Sequence, residues 1–212
     1  MKRRAPLTTL LLVVITLIWL YEAFIDAHHD NYKLMALGAI IPGTLDDYHQ
    51  YWRLIAAMFL HGGWLHWASN SWALYQLGTL YEILFGTRRF AIVYFATGII
   101  ASAVSAVHLV DEPAVGASGA IFGVLGAFIF SIYRSPRYRK QPWTRNLIAQ
   151  LVFWIGVNIV IGLSVPYIDN WAHIGGLISG LLLGFLPHRE PPPPPAQSVI
   201  DVEPRYHHYG SE

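Results

Sequence analysis

The chain has 212 residues, 54% of them hydrophobic and only 13% charged, with a mean hydropathy of +0.40. Soluble domains carry about 25% charged residues, so the composition argues against an ordinary water-soluble enzyme and for a chain that resides in lipid. Cysteine is absent, which excludes disulfides, a thiol nucleophile and any Cys-built metal site; the net charge of +1 selects no class of partner, and no nucleic-acid partner is expected.

Met1-Lys2-Arg3-Arg4 leads into an apolar run of membrane length with no small-residue cleavage site, so the first segment is expected to stay as an anchor. Six stretches approach or exceed the length that crosses a bilayer: residues 7–24, 64–85, 90–110, 114–133, 147–165 and 171–186. The expected fold is therefore all-α, a six-transmembrane-helix bundle. Lys and Arg orient it. One face would hold Lys2, Arg3, Arg4, Arg88, Arg89, Arg134, Arg137, Arg139, Lys140, Arg145, Arg189 and Arg205, and the other only Lys33 and Arg53. Cationic residues gather on the cytoplasmic side, which puts both termini in the cytoplasm.

The first extracytoplasmic loop, residues 26–63, is long and rich in apolar and aromatic side chains such as Tyr32, Leu34, Ile40, Tyr51 and Trp52. Two compatible readings follow, a segment partly embedded at the membrane interface and a small folded cap on the bundle. Residues 1–187 thus form one membrane domain. From 188 to 212 the character changes: five prolines, Pro191 to Pro195, precede a polar stretch that cannot bury a core and reads as a disordered cytoplasmic tail. Such a tail offers a polyproline ligand to a cytoplasmic partner, although a plain extension is the simpler reading. Within the spans, small residues recur at four-residue spacing: Gly119/Gly123, Gly98/Ser102 and Ala172/Gly176/Gly180/Gly184. They let helix backbones approach closely.

Chemistry enters through three clusters. Ser118 lies between Gly116 and Gly119 at the start of an apolar segment. The glycines leave room beside the hydroxyl, and a helix start exposes backbone N–H groups suited to an oxyanion. Alone, this pattern is also that of a serine in a helix contact. His173 opens the last span, and polar side chains inside a span mark function by default; the plain alternative is an imidazole bonded to a backbone carbonyl. Ser118 and His173 each precede a cytoplasmic arginine by sixteen residues, which sets both roughly 24 Å above that boundary. The coincidence of level supports a nucleophile and its base. The third cluster is His61-x4-His66-x3-Asn70. His66 and Asn70 share a helix face, bracket the level of Ser118 and could offer two donors to an oxyanion; His61 falls off that face and is expected to fix the loop or helix start. A metal site built on His61, His66 and His173 is the competing reading, weakened by the lack of an accompanying carboxylate. No metal and no cofactor are expected.

With these motifs in order, the chain resembles the rhomboid intramembrane serine proteases over residues 7–186. Gly116-x-Ser118-Gly119, Ala172-His173-x2-Gly176-x3-Gly180 and the His61–Asn70 cluster carry the resemblance. Trp52-Arg53 and Glu82-x3-Gly86 before Arg88-Arg89 agree with it. The resemblance implies a Ser118–His173 dyad without an acid and an oxyanion hole of His66, Asn70 and the Ser118 backbone N–H. It implies as substrates single-span membrane proteins, cut near the outer membrane face. It also places Phe122, where relatives often carry Tyr, against the His173 ring. The start at Met1-Lys2-Arg3-Arg4 and the minimal six-span core point to a multi-pass protein of a prokaryotic plasma or inner membrane, with an organelle membrane as the alternative. Water for hydrolysis would reach the site through a polar cavity lined by His61, His66, Ser69 and Asn70. The alternative from another class is a non-catalytic relative that binds and escorts transmembrane clients.

Overall fold

The computed structural model describes residues 4–46, 48–108, 113–165 and 168–186. Ten α-helices hold most of these residues, and strand pairing among them is limited to one antiparallel bridge between Ile40 and Ala114. Helix α1 (Pro6–Phe24) starts on a proline, whose fixed φ suits a first turn, and buries the stripe Thr8, Leu11, Ile15 and Glu22. Its opposite face leaves Leu10, Leu17 and Leu20 more than half exposed. A water-soluble bundle would not be built so.

The first loop is a folded cap. Helix α2 (Asn31–Leu37) is capped by Asp30, which accepts from Tyr32 N and Lys33 N, and stops at Gly38 with φ +115°. Helix α3 (Arg53–Ala56) carries Arg53 inward, where Nη1 donates to the Met35 and Ala39 carbonyls at 2.6 and 2.8 Å and the guanidinium lies over the Trp52 ring. Trp52-Arg53 thereby locks the loop upon itself.

The segment expected at 64–85 is helix α4 (Trp64–Ala73), a π-helical turn (Leu74–Gly78) and helix α5 (Thr79–Phe85). Glu82 closes its C-terminal end by accepting from Leu7 N, Thr8 N, Thr8 Oγ1 and Thr87 Oγ1, all within 3.0 Å. A buried anion at the start of α1 satisfies the orphan N–H groups of that helix. Helix α6 (Thr87–His108) begins three residues earlier than expected, and Leu109 and Val110 lie outside the described residues. Arg89 is drawn off the surface into the bundle, donating to Tyr81 Oη, Ser131 Oγ and the Gly184 carbonyl.

Helix α7 (Ser118–Arg134) is the central rod, with most of its residues buried. The span was expected from 114; instead, residues 114–117 are non-helical, because Ala114 pairs with Ile40 and Gly116 has φ +124°. After the short α8 (Pro136–Arg139), helix α9 (Pro142–Ser164) runs along the periphery with Thr144 its one buried residue, and helix α10 (Asn170–Leu183) returns to pack on α7 and α6. The proline tail lies outside the described residues. Helices α1, α6 and α9 are each long and apolar enough to cross a membrane, and α7 is a shorter apolar helix. The fold is a helical membrane bundle whose core is an aromatic cluster of Tyr81, Phe85, Phe90 and Phe128.

Candidate active site

The segment before Ser118 is tied to the first loop by backbone bonds. Ile40 N donates to the Ala114 carbonyl and Ala114 N to the Ile40 carbonyl, at 3.0 and 2.9 Å, and Gly116 N donates to the Ala57 carbonyl at 2.8 Å. At φ +124° Gly116 occupies backbone space that other residues avoid. Its bare Cα serves a second purpose. A Cβ there would sit 2.6 Å from His66 Nε2 and 3.8 Å from Asn70 Nδ2, so both side chains face the turn that delivers Ser118. Asn70 is buried and donates one amide N–H to the His66 carbonyl at 3.0 Å, leaving a second donor on the same nitrogen.

Ser118 is the first residue of α7, and the first helical backbone bond at this end runs from Ile121 N to the Ala117 carbonyl. The N–H groups of Ser118, Gly119 and Ala120 therefore precede the ladder and point out of the helix end. Opposite them, Asp169 caps α10: its Oδ1 accepts from Ala172 N at 2.9 Å and its carbonyl from His173 N at 3.2 Å. This holds His173 in the first turns of α10, facing α7. His173 Nε2 lies 2.9 Å from Ser118 Oγ. The ring lies flat on Phe122, centroids 4.3 Å apart and planes 5° from parallel. Its Nδ1 is buried with no hydrogen-bond partner among the described residues.

Close helix contact makes this pairing feasible. A Cβ on Gly176 would strike the Gly119 carbonyl, and one on Gly180 the Gly123 carbonyl. Helices α7 and α10 thus meet backbone to backbone along the small-residue stripes visible in the sequence. At the same end of the bundle, the His108 and Trp171 rings stack 4.0 Å apart and join α6 to α10.

His61 departs from expectation in one respect. It was to line an open polar cavity with His66, Ser69 and Asn70, but it is fully buried, its ring edge-on to His66 at 5.2 Å. Burial pushes its imidazole down to about 3, with the nearby His66 adding to the shift and a Phe59 carbonyl only partly opposing it. Its backbone N–H donates to both carboxyl oxygens of Glu22, at 3.1 and 3.2 Å. Among the described residues the side chains dense enough to hold a metal are Asp26, His28 and His29, just past the C-terminus of α1, rather than His61, His66 and His173. Within that cluster Asp26 Oδ1 accepts from His29 Nδ1 at 2.9 Å, and this hydrogen bond holds the Asp26 carboxyl below its usual range.

Two residues of the site escaped the sequence reading. Glu22 is a carboxylate inside an apolar span, a costly placement that should itself have drawn notice. Asp169 stands just before an apolar helix, where Asp is a favoured cap.

The described residues thus define a membrane-embedded helical protein with a serine hydroxyl set on an imidazole at the meeting of two helix ends. Residues 48–190 match the Rhomboid domain. RHOMBOID-like protein 7 of Arabidopsis thaliana is 36% identical over 158 residues, covering 72% of this chain and 48% of that protein. RHOMBOID-like protein 6, mitochondrial, from the same plant is 37% identical over 153 residues, covering 72% and 49%. Rhomboid protease GluP of Bacillus subtilis (strain 168) is 33% identical over 175 residues, covering 82% and 34%. The chain belongs to the rhomboid family, which includes serine proteases, and spans between a third and a half of the length of these relatives.

Proposed function

We propose that the chain is an intramembrane serine endopeptidase that cleaves the transmembrane segments of single-span membrane proteins near the outer membrane face. The observation that carries this reading is the 2.9 Å contact between Ser118 Oγ and His173 Nε2 within an apolar bundle. A nucleophile within hydrogen-bond reach of a base is the geometric requirement for covalent catalysis. For Nε2 to accept the hydroxyl proton, His173 must carry its own proton on Nδ1. The stacked Phe122 ring and the Asp169 cap hold the imidazole in place of an acid partner.

Ser118 Oγ attacks the scissile carbonyl carbon as its proton passes to His173 Nε2. The negative charge on the carbonyl oxygen is met by the Ser118 N–H, the Asn70 amide and the His66 ring, which face the same turn. Collapse expels the amine, which takes the proton from His173. Water, deprotonated by the same nitrogen, then hydrolyses the acyl ester. Gly116 keeps the approach open, while Gly119 and Gly176 keep the helices close. We assign six spans with both termini cytoplasmic and place the protein in a plasma or inner membrane.

The test uses purified protein and a reporter transmembrane substrate. Ser118→Ala and His173→Ala should each abolish cleavage, and fluorophosphonate labelling should vanish with Ser118→Ala. Persistent cleavage by the serine variant refutes the proposal. Client co-precipitation that both substitutions leave intact, with no cleavage by the unaltered chain, would establish the non-catalytic escort instead.

A further inference from the structure

Glu22 is the anomaly of the bundle. It sits in the last turns of α1, fully buried, and no lysine or arginine among the described residues pairs with it. Its two oxygens share one donor, the backbone N–H of His61, at 3.1 and 3.2 Å. A buried carboxylate is costly in lipid and persists where it does something specific.

That one bond holds a turn with consequences. His61 lies between Leu60, in extended backbone, and Gly63, whose φ of +149° sets the start of α4. Neither ring nitrogen of His61 has a well-aligned partner, so the bond from its main chain to Glu22 is the polar anchor of this residue. The His61 ring in turn bears edge-on against His66, centroids 5.2 Å apart and planes at 69°. His66 Nε2 then abuts the bare Cα of Gly116, two residues before Ser118. A continuous mechanical path thus runs from the carboxylate on α1 to the imidazole beside the candidate nucleophile.

We infer that Glu22 is a positioning residue: by gripping the His61 backbone it seats His66 against the Gly116 turn, where the oxyanion forms. This rests on the proteolytic reading above. The carboxylate touches no reacting atom. It acts only through His61 and His66.

The experiment is a double-substitution cycle on the purified full chain with a reporter transmembrane substrate, reading kcat, KM, fluorophosphonate labelling rate and thermal midpoint. Glu22→Leu removes the acceptor but suits an apolar span; should it fail to accumulate, Glu22→Met takes its place. Loss of one oxyanion donor costs about 100- to 1,000-fold in kcat, so Glu22→Leu, which loosens a donor rather than deleting it, should cost roughly tenfold or more. KM should stay within about twofold, since binding energy realised only in the transition state leaves KM alone. Glu22→Gln keeps an acceptor oxygen and should recover most of the loss. In a His66→Ala background, Glu22→Leu should cost less than about twofold further, because residues acting through one another are non-additive. Losses that multiply independently, a lowered thermal midpoint with kcat intact, or failure of Glu22→Gln to recover activity would each overturn the inference. If the unaltered chain does not cleave, the proteolytic reading falls and this inference with it; cleavage with multiplying losses defeats this inference alone.

Discussion

A single methyl group added at Gly176 tests whether the contact between α7 and α10 sets the reactive geometry. The Cβ of Gly176→Ala would overlap the Gly119 carbonyl oxygen and lie 3.0 Å from its carbonyl carbon and 3.3 Å from Gly123 N. All three are backbone atoms, so no side chain can rotate away. An unstrained carbon–oxygen approach needs about 3.3 Å, and the helices must part by roughly 1 Å to reach it. His173 lies one turn before Gly176 and Ser118 directly before Gly119, so most of that movement falls on the 2.9 Å Oγ–Nε2 contact. Stretched by even two-thirds of that amount, it leaves hydrogen-bond range. A displacement of about 1 Å costs roughly 100-fold in rate, and overpacking costs about 1–3 kcal/mol of stability. The assay is cleavage of a reporter transmembrane substrate, with fluorophosphonate labelling and thermal unfolding in parallel. Gly156→Ala on α9 is the control, because a Cβ there meets nothing within 4 Å; it should leave cleavage unchanged. If Gly176→Ala cleaves within about threefold of the unaltered chain, close contact between these helices does not set the reactive geometry.

Gly116→Ala should lose at least about 100-fold in kcat because its Cβ would displace His66 Nε2, 2.6 Å away, and adding it to His66→Ala should cost little more; independent losses would separate His66 from the oxyanion. Asp169→Ala should lower stability by about 1 kcal/mol through loss of the α10 cap, whereas Asp169→Asn should hold it, and unfolding midpoints that treat the two alike would dismiss the cap. His61 titrates near 3 when folded and near 6.5 otherwise. The unfolded chain therefore binds the extra proton below pH 6.5, and stability should fall with falling pH by at most about 1.4 kcal/mol per unit. Thermal unfolding from pH 7.5 to 5 checks this against His61→Gln, which should flatten the slope; equal slopes would mean that His61 does not stay neutral in the fold.

Much of this site was legible in the sequence, and for a physical reason. Lipid removes the alternatives that water allows, so a serine and a histidine each sixteen residues before an arginine, Arg134 and Arg189, had few explanations besides each other. Gly119, Gly123, Gly176 and Gly180 marked the contacting faces because only small residues allow that approach. What stayed hidden was the non-helical segment at 114–117. Ala-Val-Gly-Ala continues the apolar pattern, and hydropathy cannot tell a helix from a strand-like turn that another loop satisfies. Burial of His61 was hidden likewise, since a motif histidine looks the same whether it faces a cavity or fills the core. Glu22 was legible but unread: the apolar weight of its span masked one carboxylate.

The folded first loop follows from where the reactive serine stands. Helix α7 has 17 residues, about 25 Å of rise against a hydrocarbon core of about 30 Å. The backbone before Ser118 is non-helical within an otherwise apolar bundle, so its N–H and C=O groups need partners. Non-helical backbone is tolerated there only when protein satisfies it. The first loop supplies those partners, pairing Ile40 with Ala114 and the Ala57 carbonyl with Gly116 N. Arg53 and the Asp30 cap keep the loop rigid enough to hold them in register. The same loop ends at His61, whose backbone N–H is held by Glu22 shortly before α4 and its His66. A serine at a helix N-terminus within lipid, a folded cap above it and a buried carboxylate beneath the cap are thus parts of one requirement: exposed backbone donors for chemistry, with every neighbouring backbone group satisfied.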